Sequence, residues 1–312
     1  MILTVSFNSA VDRTYILDNF QIGRLHRPSE YGVFAGGKGI NVARVYRELG
    51  GEAVVTGFIG GRNGDIIQEY LRAESIISDF VRTEGESRTC IAIIDPHQRT
   101  QTEINEPGPV ISEEEIDRLI LKFESLVGGM EFAVLSGNLP QGVNGSLLGE
   151  LIKVARRYGV RCVLDSSGEA LAAGLAARPY IAKPNIHELS AIVGKEIATI
   201  EEAAHAAMEF IRSGVTYVIV TLGRDGAIVV SSEGVWSAVP PEIDFRSAVG
   251  SGDSFIAAFI HSLSSGQGVE EALRMGTAAG AANATCIGAG FCKKEQIMSM
   301  ASGIAVSSLD LI

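Results

Sequence analysis

Residues Ser247–Ala258 read Ser-Ala-Val-Gly-Ser-Gly-Asp-Ser-Phe-Ile-Ala-Ala, a glycine-rich turn that opens into an apolar helix with Asp253 at its start. The first backbone N–H groups of a helix lack intrahelical acceptors and carry partial positive charge, so they favour an anion. Gly250 and Gly252 let the backbone approach that anion closely. The pattern predicts phosphoryl transfer, with Asp253 as the base and these amides as an anion hole. The alternative is a common aspartate N-cap after a glycine turn.

Composition and charge limit the class of protein. The chain has 312 residues, 46% of them hydrophobic and 20% charged, which is enough to bury a large core. A net charge of −11 argues against a general nucleic-acid or anionic-membrane surface. We see no signal-peptide pattern and no apolar run of the ~18 residues expected of a membrane span. The four cysteines form no C-x-x-C pair and the five histidines show no zinc spacing, so we expect reduced thiols and a cytoplasmic protein.

Short β-branched runs alternate with amphipathic stretches along the chain, which predicts βαβ units on a mainly parallel sheet covered on both faces. The predicted strands are Leu3–Phe7, Ala53–Ile59, Phe132–Ser136, Arg161–Asp165, Tyr180–Lys183 and Tyr217–Leu222. The predicted helices are Ile40–Leu49, Asp65–Ala73, Glu113–Leu126, Ser146–Tyr158, Ile200–Ser213, Ser254–Ser264 and Glu270–Cys286. Several strands end in polar or glycine-rich turns, which should converge on one crevice at the carboxyl edge of the sheet.

Two stretches break this alternation. Tyr15–Phe34 and Arg88–Ile104 have the pattern of half-exposed strands with no helix between them. In the second stretch, Cys90–Ile94 is predicted to pair with Thr100–Ile104 across an Asp-Pro-His-Gln turn. We expect a separate small sheet that serves as a lid or a dimer surface; the alternative is a hairpin without a role in the site.

A second glycine cluster, Ala35–Arg44, reads Ala-Gly-Gly-Lys-Gly-Ile-Asn-Val-Ala-Arg. Its spacing fits neither a P-loop nor a dinucleotide fingerprint. Its three glycines, Gly36, Gly37 and Gly39, would let the backbone approach a small polyhydroxylated ligand closely. Asn41 can pair with vicinal hydroxyl groups and Lys38 with a phosphate. Alone, the cluster is also compatible with a simple turn before a helix.

Five ordered markers together resemble the PfkB carbohydrate kinases, which have the ribokinase-like fold. The markers are Asp12 after the first strand, Gly36–Ala43, Lys183-Pro-Asn185-x-x-Glu188, Thr221–Gly226 and Ser247–Ala258. The resemblance spans essentially the whole chain. It implies a single kinase domain over residues 1–312, with a three-layer α/β/α core, a mainly parallel sheet and a small β-sheet lid from about residues 10–34 and 87–107.

The resemblance also implies roles for individual residues in a reaction that uses ATP and Mg²⁺. Asp253 corresponds to the base, and Gly250, Ser251 and Gly252 correspond to the anion hole. The implied ATP-binding residues are Asn185, Thr221, Gly223, Gly226, Gly250, Gly252 and Asn283. Glu188 is implied to act on Mg²⁺ through water, which Mg²⁺ retains in most sites. The Asn185-x-x-Glu188 spacing equally fits a helix capping box.

Within the family, the chain resembles the hexose-phosphate kinases. Lys38 and Arg88 would supply the cationic clamp that a phosphorylated acceptor needs. The implied acceptor-binding residues are Asp12, Arg24, Gly36, Gly37, Lys38, Asn41, Arg88, Ser136, Asn138 and Asp253. The favoured reaction converts fructose 1-phosphate to a bisphosphate, and fructose 6-phosphate and tagatose 6-phosphate remain open because Arg24 and Asn138 depart from the subgroup pattern.

Two other functions remain open at this stage. One is a kinase for a neutral sugar or nucleoside, against which the Lys38 and Arg88 pair counts. The other is a catalytically silent sugar-phosphate sensor, against which the presence of Asp253 and its glycines counts. The expected partners are small molecules, with no nucleic acid or membrane, and the resemblance implies a homodimer formed through the lid.

Overall fold

The computed structural model describes residues 1–310, in which strands and helices alternate along most of the chain. The strands are β1 Ile2–Ser6, β2 Ala10–Ile16, β3 Glu30–Gly36, β4 Ala53–Gly60, β5 Ile77–Ser78, β6 Val81–Thr83, β7 Arg88–Asp95, β8 Thr100–Asn105, β9 Phe132–Ser136, β10 Arg161–Asp165, β11 Ile181–Ala182, β12 Tyr217–Thr221, β13 Ala227–Ser231, β14 Gly234–Ala238 and β15 Val306–Leu309. The helices are α1 Lys38–Glu48, α2 Gly61–Ala73, α3 Glu113–Val127, α4 Ser146–Arg157, α5 Gly168–Ala176, α6 Ile186–Val193, α7 Ile200–Ser213, α8 Ser251–Ser264, α9 Val269–Ala284 and α10 Lys294–Ala301.

The large sheet runs in the order β15-β14-β13-β12-β11-β10-β9-β1-β4-β5, with β6 also paired to β4. Every pair from β12 through β4 to β5 and β6 is parallel, whereas β12, β13, β14 and β15 pair antiparallel. Parallel strands require crossover connections, and here helices supply most of them. The carboxyl ends of the parallel strands therefore lie along one edge of the sheet.

Apolar side chains cover both faces of this sheet and form two separate cores. Ile2 contributes to one core and Leu3 to the other, because successive side chains of a strand point to opposite faces. Helices α1, α2, α8, α9 and α10 pack in the first core, and α3 to α7 pack in the second. The predicted α/β/α arrangement is thereby confirmed.

The small sheet has the order β3-β2-β7-β8 and comprises residues from 10–36 and 88–105. The β2–β7 pair is parallel and the other two pairs are antiparallel. The exposed segment between β2 and β3 includes Ile22 and Leu25, which are 96% and 82% exposed. In the described part of the chain, no helix is long and apolar enough to cross a membrane.

We expect Gly57→Ala to destabilise the core strongly. Gly57 lies in β4 with φ +134°, and a Cβ there would lie 2.0 Å from the carbonyl oxygen of Ser6 in the paired strand β1. Backbone strain and overpacking together should lower the free energy of unfolding by at least ~2 kcal/mol. Urea denaturation of both the variant and the wild type measures this loss.

Gly50→Ala is the matched control. Gly50 also has positive φ, +101°, but a Cβ there would meet nothing within 4 Å. Gly50→Ala should therefore lower the free energy of unfolding through backbone strain alone, by on the order of 1 kcal/mol. Equal losses in the two variants would show that β1 moves away without cost and that the close approach of these strands is unimportant.

Candidate active site

A cavity of about 1400 Å³ lies between the carboxyl edge of the large sheet, the start of α8 and the small sheet. Most residues predicted for the site line it: Asp12, Gly37, Lys38, Asn41, Arg88, Asn138, Asn185, Glu188, Thr221, Gly223, Gly226, Gly250, Ser251, Gly252 and Asp253. The small sheet forms one wall through β2, β7 and β8. Ligand sites of open α/β sheets occupy this position, outside the carboxyl ends of the strands.

The start of α8 is built as the glycine pattern predicts. Gly250 adopts φ +83°, and a Cβ there would lie 2.6 Å from the side chain of Ala289, so only glycine fits this turn. Helix α8 begins at Ser251, whose N–H donates to the carbonyl oxygen of Ala248 at 3.2 Å. The remaining N–H groups of the first turn have no intrahelical acceptor. The Ser251 amide is thus already hydrogen-bonded, and the anion hole predicted for Gly250, Ser251 and Gly252 stays a prediction.

Asp253 is buried at the base of the cavity, in the first turn of α8. Asn41 Nδ2 donates a hydrogen bond of 2.8 Å to its Oδ2. Burial raises the pKa of Asp253 to about 6, although the positive charge of Lys38 opposes the rise. A carboxylate with such a pKa is mostly ionised at neutral pH and can accept a proton from a hydroxyl group.

Asp165, at the end of β10, holds two lysines beneath the cavity. Its Oδ2 lies 3.3 Å from Lys38 Nζ and its Oδ1 lies 3.1 Å from Lys183 Nζ. Burial alone would raise the pKa of Asp165, but Lys183 and Lys38 hold it below its usual value. The same attraction raises the pKa of Lys38. Because two lysines share one carboxylate, the group of Lys38, Lys183 and Asp165 carries a net positive charge near Asp253. This charge suits a phosphorylated ligand.

Asp12 and Arg88 face the cavity from the small sheet. A Cβ at Gly36 would lie 2.1 Å from the Asp12 carboxylate, so the glycine of β3 makes room for this side chain. Burial raises the pKa of Asp12 to about 6, and the Arg88 charge opposes the rise. Arg88 Nε donates to the carbonyl oxygen of Asn8 at 3.1 Å, and Nη1 donates to that of Glu106 at 3.3 Å. These bonds fix the guanidinium at the wall of the cavity.

The other end of the cavity contains the residues predicted for the nucleotide. Asn185 forms an isolated parallel bridge with Thr221, which joins the start of α6 to the end of β12. The capping box at Asn185 and Glu188 is present, with both of its hydrogen bonds at 2.8 Å. Gly226 has φ +91°, and a Cβ there would lie 1.9 Å from the carbonyl oxygen of Ala238. Glycine is thus required in the turn that bounds this end.

Four predicted site residues do not line the cavity: Arg24, Gly36, Ser136 and Asn283. Arg24 lies in the exposed segment between β2 and β3. Ser136 is buried at the end of β9, and its hydroxyl has no hydrogen-bond partner within residues 1–310. Asn283 is also buried; its Nδ2 donates to the carbonyl oxygen of Val249 at 2.7 Å, and its Oδ1 accepts from Gly290 N at 2.7 Å. Asn283 therefore joins the loops before α8 and after α9, and its contact with ATP stays a prediction.

Asp165 and Lys183 also line the cavity, but the sequence did not assign them roles in the site. Asp165 ends β10 and Lys183 directly follows β11. Position at the carboxyl end of a parallel strand was the available signal for Asp165. The sequence analysis also did not identify Glu103 and Asn105 of β8, which line the cavity. Alternation along an antiparallel strand cannot show which of its faces a ligand will contact.

Comparisons with known proteins agree with this architecture. The model of the pfkB family carbohydrate kinases matches residues 1–296. A 1-phosphofructokinase of Rhodobacter capsulatus is 35% identical over 309 residues, which cover 99% of this chain and 98% of the relative. The chain belongs to the pfkB family of carbohydrate kinases. The predicted family, fold class and class of enzyme, a phosphotransferase, are confirmed.

Two solved structures show how closely the whole chain follows this family. Phosphofructokinase-2 of Escherichia coli in complex with fructose-6-phosphate has a TM-score of 0.89 and 32% identity, over 97% of this chain and 98% of that one. A Thermotoga maritima protein described as a possible 1-phosphofructokinase has a TM-score of 0.91 and 30% identity, over 99% of this chain and 100% of that one. Both similarities extend across the core and the small sheet.

Proposed function

We propose that the protein transfers the γ-phosphoryl group of ATP to a ketohexose phosphate, with fructose 1-phosphate as the first choice of acceptor. Fructose 6-phosphate and tagatose 6-phosphate are the alternatives. The observation that carries the proposal is the buried Asp253 at the first turn of α8, between Asn41 and the two lysines that Asp165 holds. The names of the relatives support a phosphorylated ketohexose as the acceptor.

Asp253 acts as the general base of this reaction. As the acceptor hydroxyl attacks the γ-phosphorus, its O–H bond breaks and the proton passes to the Asp253 carboxylate. The new O–P bond forms while the bond from the γ-phosphorus to the bridging oxygen breaks, and ADP leaves. The amides of Gly250 and Gly252 stabilise the charge on the transferred phosphoryl oxygens. Asp12 holds hydroxyl groups of the acceptor, and Lys38 and Arg88 bind its phosphate.

Mg²⁺ is part of the proposal, with Glu188 as its nearest protein anchor. Within residues 1–310 no cluster of three or more His, Cys, Asp or Glu side chains could hold a metal directly. The capping box uses Glu188 Oε2 only, and the side chain lines the cavity, so its second oxygen can bind a hydrated ion. When bound, Mg²⁺ would neutralise charge on the phosphates of ATP.

The first experiment measures ATP consumption with Mg²⁺ against fructose 1-phosphate, fructose 6-phosphate, tagatose 6-phosphate, fructose and ribose. A clear preference in kcat/KM for one phosphorylated ketohexose would support the proposal and identify the acceptor. Turnover of the neutral sugars alone would overturn the proposed phosphate clamp. Binding of a sugar phosphate without any turnover would instead favour the sensor.

We also propose that the small sheet is a lid and that two chains dimerise through it. As one wall of the cavity, the small sheet would exclude water from the transfer reaction.

Large apolar side chains are exposed on this part of the chain: Ile22, Leu25, Tyr31 and Ile104. Light scattering should give twice the mass of one chain, and Leu25→Asp should shift it towards the monomer. Leu121→Asp, on an exposed position of α3, should leave the mass unchanged; a monomeric wild type would refute the dimer.

A further inference from the structure

The buried guanidinium of Arg44, on α1, uses all five of its N–H donors. Nη1 donates to Asn41 Oδ1 at 3.1 Å and to the carbonyl oxygen of Ala289 at 2.9 Å. Nη2 donates to the carbonyl oxygen of Ala35 at 2.8 Å and to Glu74 Oε1 at 3.1 Å. Nε donates to Glu74 Oε2 at 2.6 Å, which completes a bidentate ion pair. Only arginine has this number and arrangement of donors.

One of these bonds decides the orientation of the Asn41 side chain. An asparagine amide has an oxygen that only accepts and a nitrogen that only donates. Because Arg44 can only donate, it must face Oδ1, and the nitrogen is then directed to Asp253, 2.8 Å away. The flipped amide would place Nδ2 against the guanidinium and Oδ1 against the carboxylate, which are both repulsive contacts.

A second bond from Arg44 supports the turn before α8. Ala289, whose carbonyl oxygen accepts from Nη1, packs directly against Gly250. The centroid of the Phe291 ring lies 4.3 Å from the Arg44 guanidinium carbon, so the ring covers the guanidinium. The same guanidinium thus contacts the partner of the base and the loop behind the anion hole.

We propose that Arg44, held by Glu74, is a positioning residue: it fixes the Asn41 amide so that Asn41 holds Oδ2 of Asp253 and leaves Oδ1 for the acceptor hydroxyl. This inference rests on the proposed role of Asp253 as the base. It makes the orientation of that base depend on a chain of contacts from the end of α2 to the start of α8. Arg44 itself contacts neither substrate in this arrangement.

The test uses the pH dependence of kcat/KM, which reports the ionisation of the base in the free enzyme. Asp253 is also faced by Lys38, Lys183, Asp165 and Asp12, so the variant must keep every charge. Arg44→Lys keeps the charge but cannot make the bidentate pair and the Asn41 bond together. Loss of the Asn41 hydrogen bond should move the acid limb of the profile up by about half to one pH unit and lower the plateau ~10-fold.

Arg47→Lys is the matched control. Arg47 lies on the same helix and donates to the carbonyl oxygen of Glu74, but it has no bond to Asn41. Its acid limb should stay at the wild-type position. Where Arg44→Lys does not fold, Glu74→Asp keeps the charge but shortens the side chain, so it weakens the bidentate hold on the guanidinium and should give a smaller shift in the same direction.

A double-mutant cycle with Asn41→Leu decides whether Arg44 acts through Asn41. Asn41→Leu removes the hydrogen bond to Asp253, so adding Arg44→Lys should move the limb no further. An unmoved limb in Arg44→Lys, or limb shifts that add in the double variant, would overturn the inference. Failure of the proposed function would look different, because the wild type itself would then show no ATP-dependent turnover.

Discussion

Asp253→Asn should reduce kcat by ~10²–10⁴-fold while the affinities for ATP and the acceptor change little. The variant keeps the shape of the side chain and its place in the first turn of α8 but cannot accept a proton. The amides of the anion hole remain in place, so part of the rate enhancement should survive. Steady-state kinetics gives kcat, and calorimetry with each ligand tests whether binding is retained.

Asp12→Asn is the matched control for Asp253→Asn. Asp12 is another buried carboxylate of the cavity, and burial raises its pKa to about 6 as it does for Asp253. Since we assign Asp12 to binding of the acceptor, its variant should mainly raise the acceptor KM and change kcat by less than ~10-fold. The reverse outcome, with kcat lost in Asp12→Asn and kept in Asp253→Asn, would show that the base has been assigned wrongly.

The pH profile follows from the same assignment. A general base must be ionised, so activity is present above its pKa and is lost as the pH falls through it. For Asp253 the pKa of about 6 places the fall of wild-type kcat/KM near pH 6. The residual activity of Asp253→Asn should lack this contribution. A profile unchanged in the variant would assign the limb to another group, with Asp12 the first to test.

Much of the fold could be predicted from hydrophobic patterning. Phe132–Ser136 and Arg161–Asp165 were predicted to the residue because buried parallel strands are continuous apolar runs with polar ends. The antiparallel strands β13 and β14 were missed, because no helix separates them to give the βαβ pattern. Helix α5 was also missed, since its alanine- and glycine-rich sequence has little amphipathic periodicity.

The site was predictable where backbone chemistry dictates the residue. Gly250 and Gly226 stand in turns with positive φ in which a Cβ would collide, so the glycine motifs identified both ends of the cavity. Side-chain pairing between distant segments was not predictable. The ion pair of Lys38 with Asp165 and the bond of Asn41 to Asp253 join residues far apart in the chain, and nothing in the local sequence specifies such partners. Asn283 shows the same limit, because its bonds brace loops that sequence alone cannot bring together.

Lys38→Met should raise the KM for the ketohexose phosphate by ~10–100-fold, with a much smaller effect on ATP. A hydrogen bond to a charged group contributes ~1.5–3 kcal/mol, which corresponds to this range. Lys38 is the more exposed of the two lysines on Asp165, with 37% of its side chain accessible against 6% for Lys183, so it is the one able to reach a ligand. Methionine keeps the apolar stem, and Lys183 still neutralises Asp165.

A comparison of acceptors with and without a phosphate isolates the contribution of Lys38 to phosphate binding. If Lys38 binds the phosphate of the acceptor, Lys38→Met should weaken binding of the phosphorylated ketohexose far more than binding of the same sugar without its phosphate. Lys122→Met is the matched control, because Lys122 is another ion-paired lysine, bonded to Asp79 outside the cavity. A rise in the KM for ATP instead would place Lys38 at the nucleotide and leave Arg88 alone to bind the acceptor phosphate. An equal loss for both sugars would show that Lys38 acts on the Asp253 side of the cavity rather than on the acceptor phosphate.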